Sequence, residues 1–384
     1  MQAHRTLSLF VFIDAFGWDI LQGVDFLGSE LPHRRKLTSI LGYSSTAIPT
    51  ILTGRLPREH GHFSFYYYDP EHSPFKYLTP LSVVPDTIAM RARVRGRLSR
   101  IIKRFHGYTG YFQIYNMPFE HIGLFDYCEK RDLFQPNGIN QGDSIFTALM
   151  NKGTPHHVSN WRLSEEANFQ AASAAVEEGK VSWAFLYNAD LDGILHLFGP
   201  GSRQSKERIA IYEKRILSLY ALAKQRYDSV DLFVFSDHGM AAVTETYDLM
   251  AEIQSLKLTF GRDYAAVYDS TMARFWFMNN DARAMIFAKL RELPYGTLLD
   301  RPALKHFGAD FPNDKYGEIF FLMNEGAIIV PSHMGRKPIA GMHGYHPEAP
   351  SSCAMLLSNR EIPDSIGNIA DIYTLMKRPL VDSP

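Results

Sequence analysis

The sequence predicts an α/β fold around a mostly parallel sheet, and three apolar runs that end in polar residues support this prediction. The first run, residues 7–13, is apolar except for Ser8 and is followed by Asp14. Its length and continuity are typical of a strand that is buried on both faces. The runs VSWAFLYNAD at 181–190 and DLFVFSDHGM at 231–240 end in the same way. Open α/β sheets bind ligands at the carboxyl ends of their strands, so the three runs predict one shared site there.

Helix signals separate these strands. Residues 144–153, 164–179 and 206–227 have helical periodicity, and a short strand is expected near 157–158. A strand at 352–358 and a C-terminal helix at about 369–376 follow near the end of the chain. Another helix is predicted at 46–54, where Pro49 is tolerated only in the first turn. The hydroxyl cluster Ser44-Ser45-Thr46 at its start would face free backbone N–H groups, which favour a bound phosphate or sulfate.

Composition divides the chain into a core and two segments whose sequence pattern differs from that of the core. Residues 63–134 are rich in aromatic residues, prolines and arginines and lack a clean alternation of strand and helix, which predicts an insertion over the strand ends. Residues 245–335 combine one helix pattern with several strand patterns and predict a small α+β subdomain. The remaining segments, 1–62, 135–244 and 336–384, form the predicted metal-binding catalytic core.

The overall composition excludes several classes of protein. With 40 basic and 41 acidic residues, the net charge gives no indication of a nucleic-acid polymer as partner. The N-terminus lacks the apolar region and cleavage site of a signal peptide, and no run reaches the roughly 18 apolar residues of a membrane span. The two cysteines, Cys128 and Cys353, are far apart and predict neither a disulfide framework nor a metal cluster. We therefore expect a soluble cytoplasmic protein, and its oligomeric state is not predicted.

Residues 90–105 form a predicted basic amphipathic helix that is interrupted only by Gly96. Its apolar residues recur at helical spacing: Met90, Val94, Leu98, Ile101, Ile102 and Phe105. Basic residues fill the remaining faces: Arg91, Arg93, Arg95, Arg97, Arg100, Lys103 and Arg104. One interpretation is a solvated helix that packs on the core, and the other is contact with an anionic membrane or a polyanionic substrate.

Acidic and imidazole side chains accumulate at the predicted strand ends and in the motif GMHGYHP. They are Asp14, Asp192, His196, Asp237, His238 and His343. Carboxylate, imidazole and hydroxyl ligands together suit zinc, or manganese where carboxylates dominate. Each residue alone is a weak signal, because a lone Asp at a strand end is usually a cap and short motifs arise by chance. Their recurrence at comparable positions in the topology predicts a metal site.

The order of these motifs resembles the alkaline phosphatase superfamily, and within it the type I phosphodiesterase/nucleotide pyrophosphatase family. The matching elements are FIDAFGWD, SSTAIPTILTGRLPREHG followed by YYYDP, DLDGILHLFGP, FSDHGM and GMHGYHP. The resemblance implies an alkaline-phosphatase-like three-layer sandwich with an inserted lid and a small subdomain. It also implies a hydrolase that depends on two divalent metal ions, zinc or manganese.

The resemblance further implies a role for each matching residue. One metal would be held by Asp14, Ser44, Asp237 and His238, and the other by Asp192, His196 and His343. Ser44 would be the nucleophile because it lies ten residues before Gly54, while Ser45 and Thr46 remain alternatives. The proline that the family places two residues after the nucleophile is absent here. Asp190 and His346 are weaker competitors for the metal.

Substrate recognition is expected at the hydroxyl cluster and at the aromatic motif after it, through Ser45, Phe65 and Tyr66. Nucleotide-hydrolysing relatives carry an Asn shortly before the Y-D-P motif, and the equivalent position here is Phe65, which places nucleotide specificity in doubt. The expected reaction is hydrolysis of a phosphodiester or pyrophosphate through a covalent phosphoserine, with a small-molecule or a lipid- or glycan-linked substrate. Alternatives with the same site are a phosphomonoesterase, a phosphonate hydrolase or a phosphomutase. A sulfatase and a catalytically silent metal-binding module are less favoured.

Overall fold

The computed structural model describes residues 5–381. Its strands are β1 (Thr6–Ile13), β2 (His33–Leu37), β3 (Tyr66–Tyr68), β4 (Phe125–Tyr127), β5 (His156–Val158), β6 (Trp183–Asn188), β7 (Ser229–Phe235), β8 (Ala241–Ala242), β9 (Glu245–Tyr247), β10 (Tyr264–Tyr268), β11 (Met272–Phe277), β12 (Gly296–Leu299), β13 (Ile319–Met323), β14 (Ala327–Ile329), β15 (Gly341–Met342) and β16 (Ala354–Ser358). Its α-helices are α1 (Trp18–Gln22), α2 (Ser44–Thr53), α3 (Pro57–His60), α4 (Asp86–Ala89), α5 (Ala92–Phe105), α6 (Phe119–Ile122), α7 (Ile145–Lys152), α8 (Glu165–Glu178), α9 (Asp190–Phe198), α10 (Arg203–Arg226), α11 (Leu249–Gln254), α12 (Asn280–Glu292), α13 (Arg301–His306) and α14 (Ile372–Val381). Short 3₁₀ helices span Lys76–Val83, Pro312–Asp314, Pro350–Ser352 and Ile369–Asp371.

Six strands form the central sheet, in the order β2-β16-β7-β1-β6-β5. β1 is parallel to its neighbours β6 and β7, and β5 is parallel to β6. β16 is antiparallel to both β7 and β2. The sheet is therefore mostly parallel, and the carboxyl ends of three adjacent strands, β7, β1 and β6, lie side by side at one edge.

Helices cover both faces of this sheet. Leu9 and Val11 of β1 belong to one hydrophobic core together with residues of α8 and α10. Phe10 and Phe12, which point to the opposite face, belong to a second core together with residues of α2, α7 and α14. Because both faces are buried, β1 is apolar along its length rather than alternating. The predicted α/β class with a three-layer arrangement is confirmed.

A second sheet of four antiparallel strands has the order β10-β11-β13-β12. On one face it packs with apolar residues of α11 and α12. On the other face, Ala265, Val267 and Trp276 pack against the aromatic segment that contains the paired strands β3 and β4. This sheet lies within the predicted α+β subdomain, and β3, β4 and α5 lie within the predicted insertion.

The domain boundaries themselves stay predictions, and residues 1–4 and 382–384 of the predicted core lie outside the described residues. Both cysteines are free and buried. Within residues 5–381, no helix has the length and apolar character needed to cross a membrane.

The position of Pro49 differs from the prediction. Helix α2 begins at Ser44, two residues earlier than expected, so Pro49 is its sixth residue and lies beyond the first turn. The Thr53 hydroxyl donates to the Pro49 carbonyl at 2.7 Å, and the Thr50 hydroxyl donates to the Thr46 carbonyl at 2.9 Å. These side-chain hydrogen bonds supplement the backbone bonding around the proline, whose missing N–H would otherwise weaken the helix.

The predicted packing face of the basic helix is partly wrong. The buried residues of α5 are Arg95, Ser99 and Ile102, whereas Ile101 and Phe105 are 64% and 80% exposed. The Arg95 guanidinium donates to the carbonyls of Ala89 and Met117, at 2.8 and 2.7 Å. These long-range hydrogen bonds satisfy a buried cation and rotate the helix, so that two of its apolar side chains face outward.

Candidate active site

The carboxyl ends of β1, β6 and β7 position most of the predicted metal ligands. Asp14 directly follows β1, and Asp237 and His238 follow β7 after one residue. Asp192 and His196 lie on α9, which begins two residues after β6. His343 reaches the same edge because it follows β15, which pairs with β8 just after Asp237 and His238.

The first group of potential ligands surrounds His238. Its Nε2 lies 3.1 Å from Oδ2 of Asp237 and 3.6 Å from Oδ1 of Asp14. The same nitrogen lies 3.0 Å from Oγ of Ser44, at the start of α2. The structure therefore brings together all four residues of the first predicted metal position.

The second group of potential ligands surrounds Asp192. Its Oδ1 lies 3.3 Å from Nε2 of His196 and 3.6 Å from Nε2 of His343. The ligand atoms of these three residues all lie within 4.8 Å of one another, and so do those of Asp14, Asp192 and His238. Since Asp192 belongs to both sets, the two predicted metal positions adjoin each other.

The two competitors named from the sequence lie outside these groups. The Asp190 carboxylate pairs instead with Arg208 at 3.0 Å. His346 is exposed and packs beside the ring of Phe307.

Hydrogen bonds orient several of the candidate ligands. Nδ1 of His196 donates to the Gly341 carbonyl and Nδ1 of His238 donates to the Gly239 carbonyl, each at 2.9 Å. Both imidazoles therefore present Nε2 to the cluster, which is how metal-ligating histidines are usually held. The Tyr187 hydroxyl donates to Oδ2 of Asp14 at 2.6 Å.

Several buried polar atoms in the cluster lack a hydrogen-bond partner among the described residues, and a bound cation would supply the missing interaction. Four buried atoms lack a hydrogen-bond partner within the described structure: Asp14 Oδ1, Asp192 Oδ1, Asp237 Oδ2 and His343 Nδ1. Buried polar atoms are rarely left unpaired, and three of these four are carboxylate oxygens that would coordinate a metal. The donor set of carboxylates and imidazoles matches zinc or manganese chemistry.

The electrostatics of the cluster also favour a cation. Burial, followed by the charges of Asp237 and Asp192, raises the pKa of Asp14 well above its ordinary value. Burial opposes protonation of His238, but Asp237, Asp14 and Asp192 together raise its pKa to about 10. The carboxylates that share this small buried volume contribute to both shifts, and a divalent ion would neutralise their negative field.

Glycines allow the loops around the cluster to approach closely. A Cβ on Gly239 would lie 2.3 Å from the Ser351 carbonyl oxygen, and one on Gly17 would lie 2.3 Å from the Gly239 Cα. Gly344 has a φ of +84°, and a Cβ there would lie 2.6 Å from the Tyr43 ring. These glycines therefore position the loops that carry Asp237, His238 and His343.

The three hydroxyls at the start of α2 have different surroundings. Ser44 Oγ faces His238, as described above. The hydroxyls of Ser45 and Thr46 both donate to the Phe63 carbonyl, and Thr46 is fully buried. Of the three, only the Ser44 hydroxyl adjoins the candidate ligands.

A cavity of about 330 Å³ extends from the cluster. Its polar end contains Asp14, Ser44, Asp192, His196 and His343. Part of its wall is aromatic, and Phe65 packs there against Tyr111 and Tyr115 with ring centroids 5.6 and 5.5 Å apart. The cavity thus combines a charged end with a large apolar wall, as ligand-binding pockets commonly do.

The residues predicted to bind substrate are placed differently from one another. Phe65 and Ser45 line the cavity. Tyr66 does not belong to the lining: it is fully buried, and its hydroxyl donates to the Gln113 carbonyl at 3.2 Å. Tyr66 is the first residue of β3 and packs in the hydrophobic cluster under the insertion, whereas Phe65 directly precedes this strand.

Sequence reasoning missed two cavity residues of chemical interest, Tyr187 and Glu129. Tyr187 lies inside an apolar strand pattern, where no signal distinguishes it from a packing residue. Glu129 is 5% exposed, lines the cavity and has no hydrogen bond to its carboxylate among the described residues. Burial raises the pKa of Glu129 to about 8.

Comparisons with known proteins agree with the geometry. A model of the family described as type I phosphodiesterase/nucleotide pyrophosphatase matches residues 33–346. Ectonucleotide pyrophosphatase/phosphodiesterase family member 7 of Rattus norvegicus is 29% identical over 119 residues, a match that spans 29% of this chain and 26% of that protein.

Solved structures show the same fold. Murine ectonucleotide pyrophosphatase/phosphodiesterase 5 superposes with a TM-score of 0.69 at 17% identity, covering 98% of this chain and 95% of that one. An inactive variant of the murine protein in complex with AMP gives the same values. The human counterpart gives a TM-score of 0.69 at 16% identity, with coverage of 98% and 95%. Because the family model covers most of the sequence, this chain belongs to the type I phosphodiesterase/nucleotide pyrophosphatase family.

Proposed function

We propose that this protein is a metal-dependent hydrolase of phosphodiesters or pyrophosphates that acts through a covalent phosphoserine at Ser44. The observation that carries this proposal is the Ser44 hydroxyl at the edge of a buried cluster of three aspartates and three histidines, four of whose polar atoms lack a hydrogen-bond partner in the described structure. Membership of the family supports the same reaction class.

The cluster offers positions for two divalent ions, zinc or manganese. Asp14, Asp237 and His238 with the Ser44 oxygen would hold one, and Asp192, His196 and His343 would hold the other. Such ions, when bound, lower the pKa of a coordinated hydroxyl and neutralise the charge on phosphoryl oxygens. The protein holds the ligands in place through Tyr187 and through the backbone carbonyls that accept from His196 and His238.

The reaction has two displacements at phosphorus. In the first, the Ser44 hydroxyl releases its proton to solvent and Ser44 Oγ bonds to phosphorus, while the bond to the leaving-group oxygen breaks and that oxygen gains a proton from solvent. In the second, water attacks the phosphoserine, the bond from phosphorus to Ser44 Oγ breaks, and the serine regains its proton. The position of Ser44 at the first residue of α2 also directs backbone N–H groups toward the phosphoryl oxygens, which favours the transition state.

The aromatic wall of the cavity suits the organic part of the ester. A planar base, a sugar or a lipid headgroup could pack on Phe65, Tyr111 and Trp161. The murine relative in complex with AMP supports a nucleotide, while Phe65, in place of an Asn of nucleotide-hydrolysing relatives, supports a different ester. The substrate is therefore proposed as a small-molecule or a lipid- or glycan-linked phosphodiester. Localisation in the cytoplasm stays a prediction from the sequence.

Turnover of two chromogenic esters tests this proposal. The protein is loaded with zinc or manganese, and hydrolysis of bis(p-nitrophenyl) phosphate is compared with that of p-nitrophenyl phosphate. We expect the diester to be preferred, Ser44→Ala to abolish turnover, and Ser45→Ala to lower it far less, because the Ser45 hydroxyl donates to the Phe63 carbonyl. Preference for the monoester would instead assign the chain to the phosphatase or mutase alternatives. Equal turnover by wild type and Ser44→Ala would refute the proposed nucleophile.

A further inference from the structure

Helix α5 is anchored to the protein by one face only. Its buried residues, Arg95, Ser99 and Ile102, follow one another at helical spacing. Arg95 donates to the carbonyls of Ala89 and Met117, and Ser99 Oγ accepts from the Ile114 N–H at 3.1 Å. These contacts fix the rotation of the helix about its own axis and therefore determine which side chains face outward.

The opposite face of α5 is a stripe of arginines. Arg93, Arg97, Arg100 and Arg104 are spaced by four, three and four residues, which places them on one side of the helix, and all four are exposed. None of the four forms an ion pair with a residue of the described chain, and residues 92–105 contain no Asp or Glu. The stripe is therefore a concentrated positive charge without an acidic partner among the described residues, on a chain whose net charge is −1.

Exposed apolar side chains lie beside this stripe. Ile101 and Phe105 are 64% and 80% exposed and, at a spacing of four residues, share the flank between the arginines and the buried face. In the 3₁₀ helix Lys76–Val83, Tyr77 and Val83 are 83% and 85% exposed. This segment and α5 both pack on one hydrophobic cluster, through Leu78 and Ile102. An unpaired basic stripe next to protruding apolar groups matches the interface of a bilayer, where charged headgroups adjoin acyl chains.

We propose that α5 docks the protein on an anionic phospholipid bilayer. The arginine stripe contacts the lipid headgroups, and Ile101 and Phe105 insert into the boundary between headgroups and acyl chains. A polyanion such as RNA would attract the arginines but would leave the two apolar side chains in water, so the pairing of the two features favours the bilayer.

The other flank of α5 carries Lys103, whose Nζ lies 5.4 Å from the centroid of the Trp161 ring. Trp161 lines the cavity, so α5 adjoins the cavity wall through the flank opposite to Ile101 and Phe105. Docking itself does not require hydrolysis, so it can be tested whatever the substrate of the protein is.

Vesicle flotation tests the proposal. The full chain is mixed with vesicles of pure phosphatidylcholine or of phosphatidylcholine with about one third phosphatidylserine, a composition that carries negative surface charge. We expect flotation with the anionic vesicles only, and weaker flotation as salt rises. In R97Q/R100Q/R104Q, loss of about 1 kcal/mol per arginine predicts partitioning on the order of 100-fold weaker. In I101S/F105S, we expect a decrease of roughly tenfold or more, because the inserted apolar area is lost.

A matched control is available on α12. Arg291 lies over the ring of Phe287, which is 42% exposed, so R291Q/F287S removes an arginine and an exposed aromatic from another surface helix. This variant should float like the wild type, and circular dichroism should show all variants folded. Absence of flotation by the wild type, or flotation of both α5 variants at the wild-type level, would overturn the proposal. Tighter binding to RNA homopolymer than to vesicles, unaffected by I101S/F105S, would also overturn it in favour of a polyanion site.

Discussion

Replacing Glu129 by glutamine should make the stability of the protein less dependent on pH. The Glu129 carboxyl is almost fully buried in the cavity wall, and burial raises its pKa from the ordinary 4.5 to about 8. The folded state therefore holds a proton that the unfolded state has already released at neutral pH. Stability is lost as pH rises from about 4.5 to about 8, because deprotonation becomes easier after unfolding.

The size of this effect follows from the shift in pKa. Each unit of pKa corresponds to about 1.4 kcal/mol, so a rise from 4.5 to about 8 amounts to about 5 kcal/mol at high pH. Most of this loss falls between pH 5 and pH 8. The glutamine side chain of the variant has no proton to lose. The free energy of unfolding of Glu129→Gln should therefore exceed that of the wild type by an amount that grows with pH.

Urea unfolding, followed by tryptophan fluorescence at several pH values in the presence of a chelator, measures this difference. The matched control is Glu71→Gln, because Glu71 is an exposed glutamate of the same insertion. A difference between Glu129→Gln and wild type that stays constant from pH 5 to pH 8 would refute the reasoning. A control that behaves like Glu129→Gln would do the same.

Three further predictions concern the candidate site and the residues that stabilise the structure around it. Tyr187→Phe removes the hydrogen bond to Asp14 and should weaken zinc binding by about 10- to 100-fold, measured by titration calorimetry, with Tyr373→Phe as the control. Arg274→Met leaves the buried Asp269 without its partner at 3.1 Å and should lower the free energy of unfolding by about 3–5 kcal/mol in urea, with Arg283→Met nearly neutral. Gly239→Ala forces a Cβ against the Ser351 carbonyl and should lower both the melting temperature and zinc affinity; unchanged values would show that the loop relaxes at little cost.

The sequence predicted the central sheet because burial on both faces leaves a clear signal. The run before Asp14 is apolar throughout except for Ser8, and helices cover it on both sides in the structure. The position of the candidate ligands followed from the same argument, since residues after parallel strands meet at one edge. Asp192 and His196 lie farther from the end of their strand. They reach the same edge because both lie on α9, four residues apart on one side of the helix.

Features that depend on distant contacts could not be predicted in the same way. The rotation of α5 depends on hydrogen bonds from Arg95 to Ala89 and Met117, and helical periodicity alone placed this arginine on the outside. Phe65 lines the cavity whereas Tyr66 packs in the core under the insertion, and this difference depends on tertiary packing that the aromatic pattern does not encode. Glu129 acquires its unusual pKa only because the folded chain buries it.

A covalent bond between Ser44 and phosphorus can be trapped and detected. Zinc-loaded protein is mixed with bis(p-nitrophenyl) phosphate, quenched rapidly in acid, digested and examined by mass spectrometry. We expect a p-nitrophenyl phosphoryl adduct on Ser44, formed as one equivalent of p-nitrophenol is released, and no adduct in Ser44→Ala. Turnover without any adduct, or an adduct on Ser45 or Thr46, would contradict the proposed mechanism.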